Sequence, residues 1–205
     1  SNEYSVTLAG GYLSPDRSHS ATLSADMAYF PESKSKSSAD DYQVKVLACW
    51  HWEGEIVALK MRLGERIRSW GYLSRTDFRT DISLPLEKFV LNLRADLLHC
   101  KSLAGLVYCE GGYSTDPLSA YFRAGVFIVD NWDDRIYVYE RDAPGGFNVP
   151  AMYGRGLWTA ATASLKHSMW LKLYARASFT AYPFMSEGKK KPGRAELKLQ
   201  CIFSF

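Results

Sequence analysis

The chain has 205 residues, 47% apolar, 23% charged and 14% aromatic, and its 25 Lys and Arg against 22 Asp and Glu leave a formal net charge of +3. That composition belongs to a folded chain, and the charge is too small to point to nucleic acid. No stretch approaches the roughly 18 consecutive apolar residues of a transmembrane helix, and Ser1-Asn2-Glu3-Tyr4 has no secretory character, so the open classes are a water-soluble all-β domain and a membrane β-barrel.

Alternation with period two predicts thirteen strands, at 4–13, 19–30, 41–52, 55–69, 76–86, 89–99, 104–113, 118–129, 135–142, 147–153, 157–166, 169–182 and 195–205. In the first, Tyr4, Val6 and Leu8 share a face. In the third, Tyr42, Val44, Val46, Ala48, Trp50 and Trp52 oppose Gln43, Lys45 and His51. In the next three, Leu59, Met61 and Leu63 oppose Lys60 and Arg62; Phe78, Ile82 and Leu84 oppose Arg79, Asp81 and Ser83; Leu91, Leu93 and Leu97 oppose Asn92, Arg94 and Asp96. Further on, Phe122, Val126 and Ile128 oppose Tyr121 and Arg123. Near the C-terminal end, Leu171, Leu173, Ala175 and Phe179 oppose Lys172 and Arg176, and Leu197, Leu199 and Phe203 oppose Glu196, Lys198 and Gln200.

Many of these strands run for ten residues or more, the length a tilted strand needs to cross a bilayer, whereas soluble strands average nearer five or six. Trp50, Trp52, Trp70, Tyr72, Trp132, Trp158, Trp170, Tyr182 and Phe205 fall at or near strand ends, as the interfacial girdles of an outer-membrane barrel require. The connections alternate in length as well. Short turns such as Glu53-Gly54, Glu87-Lys88 and Lys166-His167-Ser168 share one side, and the two long polar linkers, 31–40 and 183–194, fall on the other. The predicted fold is an antiparallel up-and-down transmembrane β-barrel of about 12–14 strands, forming one domain over 1–205. Thirteen is odd, whereas single-chain bacterial barrels have even counts. Either the 135–153 hairpin is miscounted, or the chain is the C-terminal part of a larger barrel without its signal peptide and earlier strands, and the second is the expectation.

Cys49, Cys100, Cys109 and Cys201 form no C-x-x-C pair, and His19, His51, His99 and His167 add no ligand spacing, so neither a metal nor a cofactor is expected. No G-x-S-x-G or H-E-x-x-H occurs, and no enzyme is expected. The one hydrolytic alternative is Asp133-Asp134 with His99 at an outer tip, where turn formation already explains two aspartates.

If the apolar faces meet lipid, the lumen receives twelve cations: Lys45, Lys60, Arg62, Arg66, Arg68, Arg79, Arg94, Arg123, Lys166, Lys172, Arg176 and Lys198. Six acids share their phase: Asp26, Asp77, Asp81, Asp96, Glu110 and Glu196. Rings of Arg and Lys favour anions, so Arg62, Arg66, Arg79, Arg94, Arg123, Lys172 and Arg176 are the candidate binding residues for a small anionic or polar solute. The alternative use of the same residues is cross-strand ion pairing that fills a narrow lumen and leaves a non-transporting anchor or binding barrel. In the anchor form, Lys189-Lys190-Lys191 would meet acidic surface sugars. A third alternative is a soluble, lipocalin-like carrier with the apolar faces inward.

The segments 135–142 and 147–156, continuing through 170–176 and 196–205, resemble the C-terminal region of large Bacteroidota outer-membrane barrels that often carry an N-terminal helix-hairpin-helix domain of the competence type. Ala143-Pro144-Gly145-Gly146 departs from that pattern. No helix-hairpin-helix segment is present, so no DNA-related role carries over. The terminal Phe205 resembles the general insertion signal of outer-membrane proteins. The resemblance implies an outer-membrane location in a Gram-negative cell, with outer-membrane lipid as the partner.

Overall fold

The computed structural model describes residues 3–32, 40–71, 74–185 and 191–203. The alternation is realised as long antiparallel strands: β1 (Tyr4–Leu13), β2 (His19–Phe30), β3 (Asp41–Glu53), β4 (Ala58–Arg68), β5 (Ser74–Leu86), β6 (Phe89–His99), β7 (Leu103–Ser114), β8 (Leu118–Val129), β9 (Ile136–Tyr137), β10 (Ala151–Met152), β11 (Gly154–Lys166), β12 (Leu171–Ala181) and β13 (Arg194–Phe203). Eleven of these form one up-and-down sheet in the order β1-β2-β3-β4-β5-β6-β7-β8-β11-β12-β13, and β9 pairs only with β10. The sheet is open, with β1 and β13 as its two edges. Ten successive antiparallel steps leave those two strands running in the same direction.

The expected strands 135–142 and 147–153 are therefore corrected. They form a two-residue ladder, Met152 with Ile136 and Ala151 with Tyr137, extended by a bridge from Glu140 to Asn148, and they do not enter the sheet. Instead β8 pairs directly with β11, from Val129 opposite Gly154 to Leu118 opposite Leu165. Omitting this hairpin removes two strands, so the sheet count remains odd, and a miscounted hairpin does not restore even parity.

Register keeps the two sides of the sheet chemically distinct. One row reads Leu59, Ile82, Leu93, Cys109, Ala124, Thr159, Phe179 across β4 to β12; the adjacent row on the other face reads Lys60, Asp81, Arg94, Tyr108, Gly125, Trp158, Thr180. The apolar side is uncovered, with Leu8 71%, Leu197 71% and Leu199 72% exposed. The buried core lies on the opposite, inner side, where Leu98, Leu106, Tyr108, Phe127, Val129 and Trp158 pack against Ile136, Val138 and Met152 of the folded-in hairpin. The buried apolar cluster of the inner phase thus forms where the hairpin covers the strands, while Phe30, Leu47 and Val90 are apolar positions of that phase outside it.

Connection lengths are unequal at the two ends. At one end lie 14–18, 54–57, 87–88, 115–117 and 167–170; the other end carries 31–40, 100–102, 130–153 and 182–193. The β8–β11 connection leaves the long-loop end through a 3-10 turn, Trp132–Asp134, and Asp134 is fully buried there. Its carboxylate accepts from the backbone N–H groups of Lys101 and Ser102, each at 2.9 Å, and from the Ser102 hydroxyl at 2.7 Å. This fixes the base of the hairpin to the β6–β7 turn.

Burial pushes the Asp134 carboxyl up, but the Lys101 and Ser102 donors outweigh it and hold it below the usual carboxylate range. A depressed value means the anchor stabilises fully above about pH 4 and weakens as pH falls through the lowered value. Proteolysis of 130–153 is therefore expected to accelerate at acid pH. Asp134→Ala, which orphans buried N–H donors, is expected to cost about 1–3 kcal/mol in thermal unfolding at neutral pH and to abolish that acid dependence.

Candidate functional site

The inner face beneath the hairpin is built from residues that alternate along β6 to β13. Gly125 sits in register between Tyr108 and Trp158. A Cβ there would come within 2.8 Å of the Tyr108 Cβ and 2.9 Å of Trp158 Cε3, so only glycine lets the two rings meet edge to face at 5.5 Å. Arg123, two residues earlier on β8, lays its guanidinium 4.3 Å from the Tyr108 ring centroid.

Two acid-centred clusters bind the hairpin to this floor. In the first, Glu110 is 3% exposed; Arg123 donates to its Oε2 at 2.9 and 2.5 Å, and the hairpin's Arg141 donates to its Oε1 at 3.3 and 3.2 Å. Arg123 also donates to the Tyr139 carbonyl at 2.7 Å, and Arg141 stacks 3.8 Å from the Tyr121 ring centroid. In the second, Glu140 of the hairpin is 2% exposed and accepts from Arg176, from Trp158 Nε1 at 2.6 Å and from Asn148 Nδ2 at 2.6 Å. Arg176 reaches Glu196 at 3.1 Å as well. Beside these, Lys198 Nζ lies 3.0 Å from Asp142.

The seven expected basic residues all lie in the inner phase, but they divide. Arg62 pairs with Asp77 at 2.8 Å, Arg79 with Asp96 at 2.5 Å, and Arg94 with Asp81. Arg123 and Arg176 are the buried pairs above. Arg66 and Lys172 have no carboxylate within ion-pair distance among the described residues. The hairpin delivers Glu140 and Asp142 to Arg176 and Lys198, while Arg141 of the hairpin and Arg75 of β5 add two cations, so the excess of cations on the inner face is unchanged and only its distribution differs.

Sequence reasoning missed Glu140, Arg141 and Asp142 as inner-face groups, since it placed 135–142 in the sheet. The available signal was phase: Trp158 alternates with Thr162 and Ser164, opposite Leu157 and Leu165, so it belongs to the interior and not to an aromatic girdle. Trp50, Trp52 and Trp70 lie at strand ends as expected, whereas Tyr72 and Phe205 fall outside the described residues. So do Lys189 and Lys190; Lys191 Nζ sits 3.7 Å from the Tyr153 ring centroid. Asp134 is committed to the backbone of the β6–β7 turn and Asp133 pairs with Lys101 at 3.3 Å. His99 follows the apolar-face phase of Leu97, with no hydrogen bond or ion pair to either aspartate among the described residues.

Two polar cavities flank the hairpin. One, of about 360 Å³, is lined by Lys60, Arg94, Arg123 and Arg141 against Asp81 and Glu110, four cations to two carboxylates. The other, of about 260 Å³, is lined by Tyr121, Arg141, Asp142, Thr162, Ser164 and Tyr174. Compared with known proteins, this chain matches no family model, no curated protein and no solved structure.

Removing Glu140 leaves Arg176 buried with only Glu196 as a carboxylate partner. Glu140→Leu is expected to cost about 3 kcal/mol and to free the hairpin locally while the eleven-strand ladder persists. Limited proteolysis within 136–152 at unchanged far-ultraviolet circular dichroism checks this.

Proposed function

We propose that this chain is a transmembrane β-barrel of an outer membrane, its apolar side in lipid and its inner side a narrow passage for small anionic or polar solutes beside the in-folded hairpin. The observation that carries the reading is the segregation of faces over strands of ten residues or more, with a continuous uncovered apolar side and Arg–carboxylate ladders on the other. Closure of the sheet is part of the proposal, because an open edge in hydrocarbon would leave backbone groups unsatisfied at several kcal/mol each. The resemblance of 135–142, 147–156, 170–176 and 196–205 to the C-terminal region of Bacteroidota barrels adds to it. The excess of cations around the 360 Å³ cavity supports anions as the favoured solutes.

The second reading, a barrel plugged by its hairpin and used as an anchor or binder, is favoured by the near-complete burial of Glu140 and Arg176. The two readings separate in planar bilayers. A passage gives wild-type current with a reversal potential on the anion side in a salt gradient. A plug gives no wild-type current, and current appears in Glu140→Leu. Both require detergent for extraction and heat-modifiable gel mobility; purification as a monodisperse protein without detergent would overturn both in favour of a soluble carrier.

A further inference from the structure

Charged rows elsewhere on the inner face alternate in sign or carry their own counter-ions. Lys60, Asp81 and Arg94 stand in register across β4 to β6, and Glu110 stands opposite Arg123. Arg62 and Arg79 face each other, yet each has an aspartate partner, Asp77 and Asp96. Gly64 makes room for the first of these, since a Cβ at that position would lie 2.8 Å from Asp77 Oδ1.

One row breaks this order. Lys45, Arg66 and Arg75 are directly opposite one another on β3, β4 and β5 near the long-loop end, and the row continues on β2 with Asp26 opposite Lys45, its carboxylate accepting from the Thr7 hydroxyl at 2.6 Å. Neighbouring strands are about 4.8 Å apart, so each adjacent pair of these cations falls well inside the Debye length of about 8 Å at physiological salt. Like charges directly opposite destabilise a sheet. Among the described residues neither Lys45 nor Arg66 reaches a carboxylate, and Arg75 makes only two long bonds, at 3.4 Å, to the carbonyls of Asp133 and Arg135. One step along β4 on the same face, the buried Nε of Arg68 has no hydrogen-bond partner. Unlike the neighbouring rows, this one sets three adjacent cations against the single carboxylate of Asp26, with no ion pair between them among the described residues.

We propose that Lys45, Arg66, Arg68 and Arg75 form a binding site for a multivalent oxyanion of the phosphate class, at the long-loop mouth of the inner face. Three planar guanidinium forks flanked by an ammonium suit an anion of several oxygens and at least two charges. The row shares the phase of Lys60 and Arg62, away from the apolar side, so the ligand is a soluble anion and not a lipid headgroup. The site rests on the proposed passage only for its use as a capture point; its binding is independent of transport.

The test is thermal unfolding of the folded full chain in non-ionic detergent, or in buffer if detergent proves unnecessary, with inorganic phosphate against chloride at matched low ionic strength. Phosphate at tenfold its Kd is expected to raise the wild-type midpoint by about 3 °C or more. Arg66→Gln is expected to lose that shift and, with no phosphate present, to melt above the wild type, because it relieves repulsion. Lys45→Gln gives an independent second reading of both effects, and Lys88→Gln, in the turn at the opposite end, keeps the wild-type shift. Absence of a phosphate-specific shift in the wild type overturns the site. So does a lowered midpoint in both variants without ligand, or stabilisation by phospholipid-doped micelles alone. Failure of the membrane reading would show instead as solubility without detergent, with the phosphate shift still measurable.

Discussion

The arrangement of the inner face depends on two guanidinium–carboxylate contacts made out of water, Arg123 with Glu110 and Arg176 with Glu140. A buried charge without a partner costs several kcal/mol, so each member holds the other in place. Glu140 belongs to the hairpin and Arg176 to β12, and Arg123 donates to the Tyr139 carbonyl as well as to Glu110. The hairpin is thus bound at the middle by charge and at its base by Asp134, while Ile136, Val138 and Met152 supply the apolar contact between those points. None of these interactions replaces a rung of the main ladder. Loosening the hairpin and unfolding the sheet are therefore separate events energetically.

The same pairing sets the electrostatics of the inner face. A guanidinium already saturated by a carboxylate adds little net field, whereas one without a counter-ion attracts any mobile anion that approaches. Of the inner cations, Arg62, Arg79, Arg94, Arg123 and Arg176 are neutralised where they stand. Lys45, Lys60, Arg66, Arg68, Arg75 and Lys172 have no carboxylate within ion-pair distance among the described residues, and Arg141 shares Glu110 with Arg123. Apart from Lys172 on β12 these lie on β3 to β5 and at the hairpin's margin, so the field on the inner face is weighted to that side.

The eleven sheet strands were legible because the two faces of the sheet differ in polarity along their whole length, and a one-residue slip would exchange Leu93 for Arg94. The hairpin was not, for a physical reason. Ile136, Val138 and Glu140 alternate with Tyr137, Tyr139 and Arg141 as a strand would, but the segment is buried by contact with a floor and pairs through only two rungs and one bridge. Local alternation cannot distinguish a strand in a sheet from an extended segment lying on one. What did carry the information was distant: Leu98, Leu106, Phe127, Val129 and Trp158 are large apolar residues in the polar phase of four different strands, all near the long-loop end. Such a cluster requires a cover, and residues 130–153 form the connection beside it.

The basic residues divide by the same logic of partners. Charge and phase in the sequence identify Arg66 and Arg176 alike as inner-face cations, yet their environments differ in kind. Arg176 is 4% exposed and held by Glu140 and Glu196, which makes it a structural tie; Arg66 stands between Lys45 and Arg75, which makes its charge a cost to the sheet. Periodicity assigns a residue to a face, but only register assigns it neighbours. Register sets Arg66 between Lys45 and Arg75, and it also sets Arg176 opposite Lys198. What makes Arg176 a tie is Glu140, brought from outside the sheet by the hairpin, so it is the arrival of a carboxylate across strands or from the hairpin that decides whether an inner arginine locks the fold or remains available to a ligand.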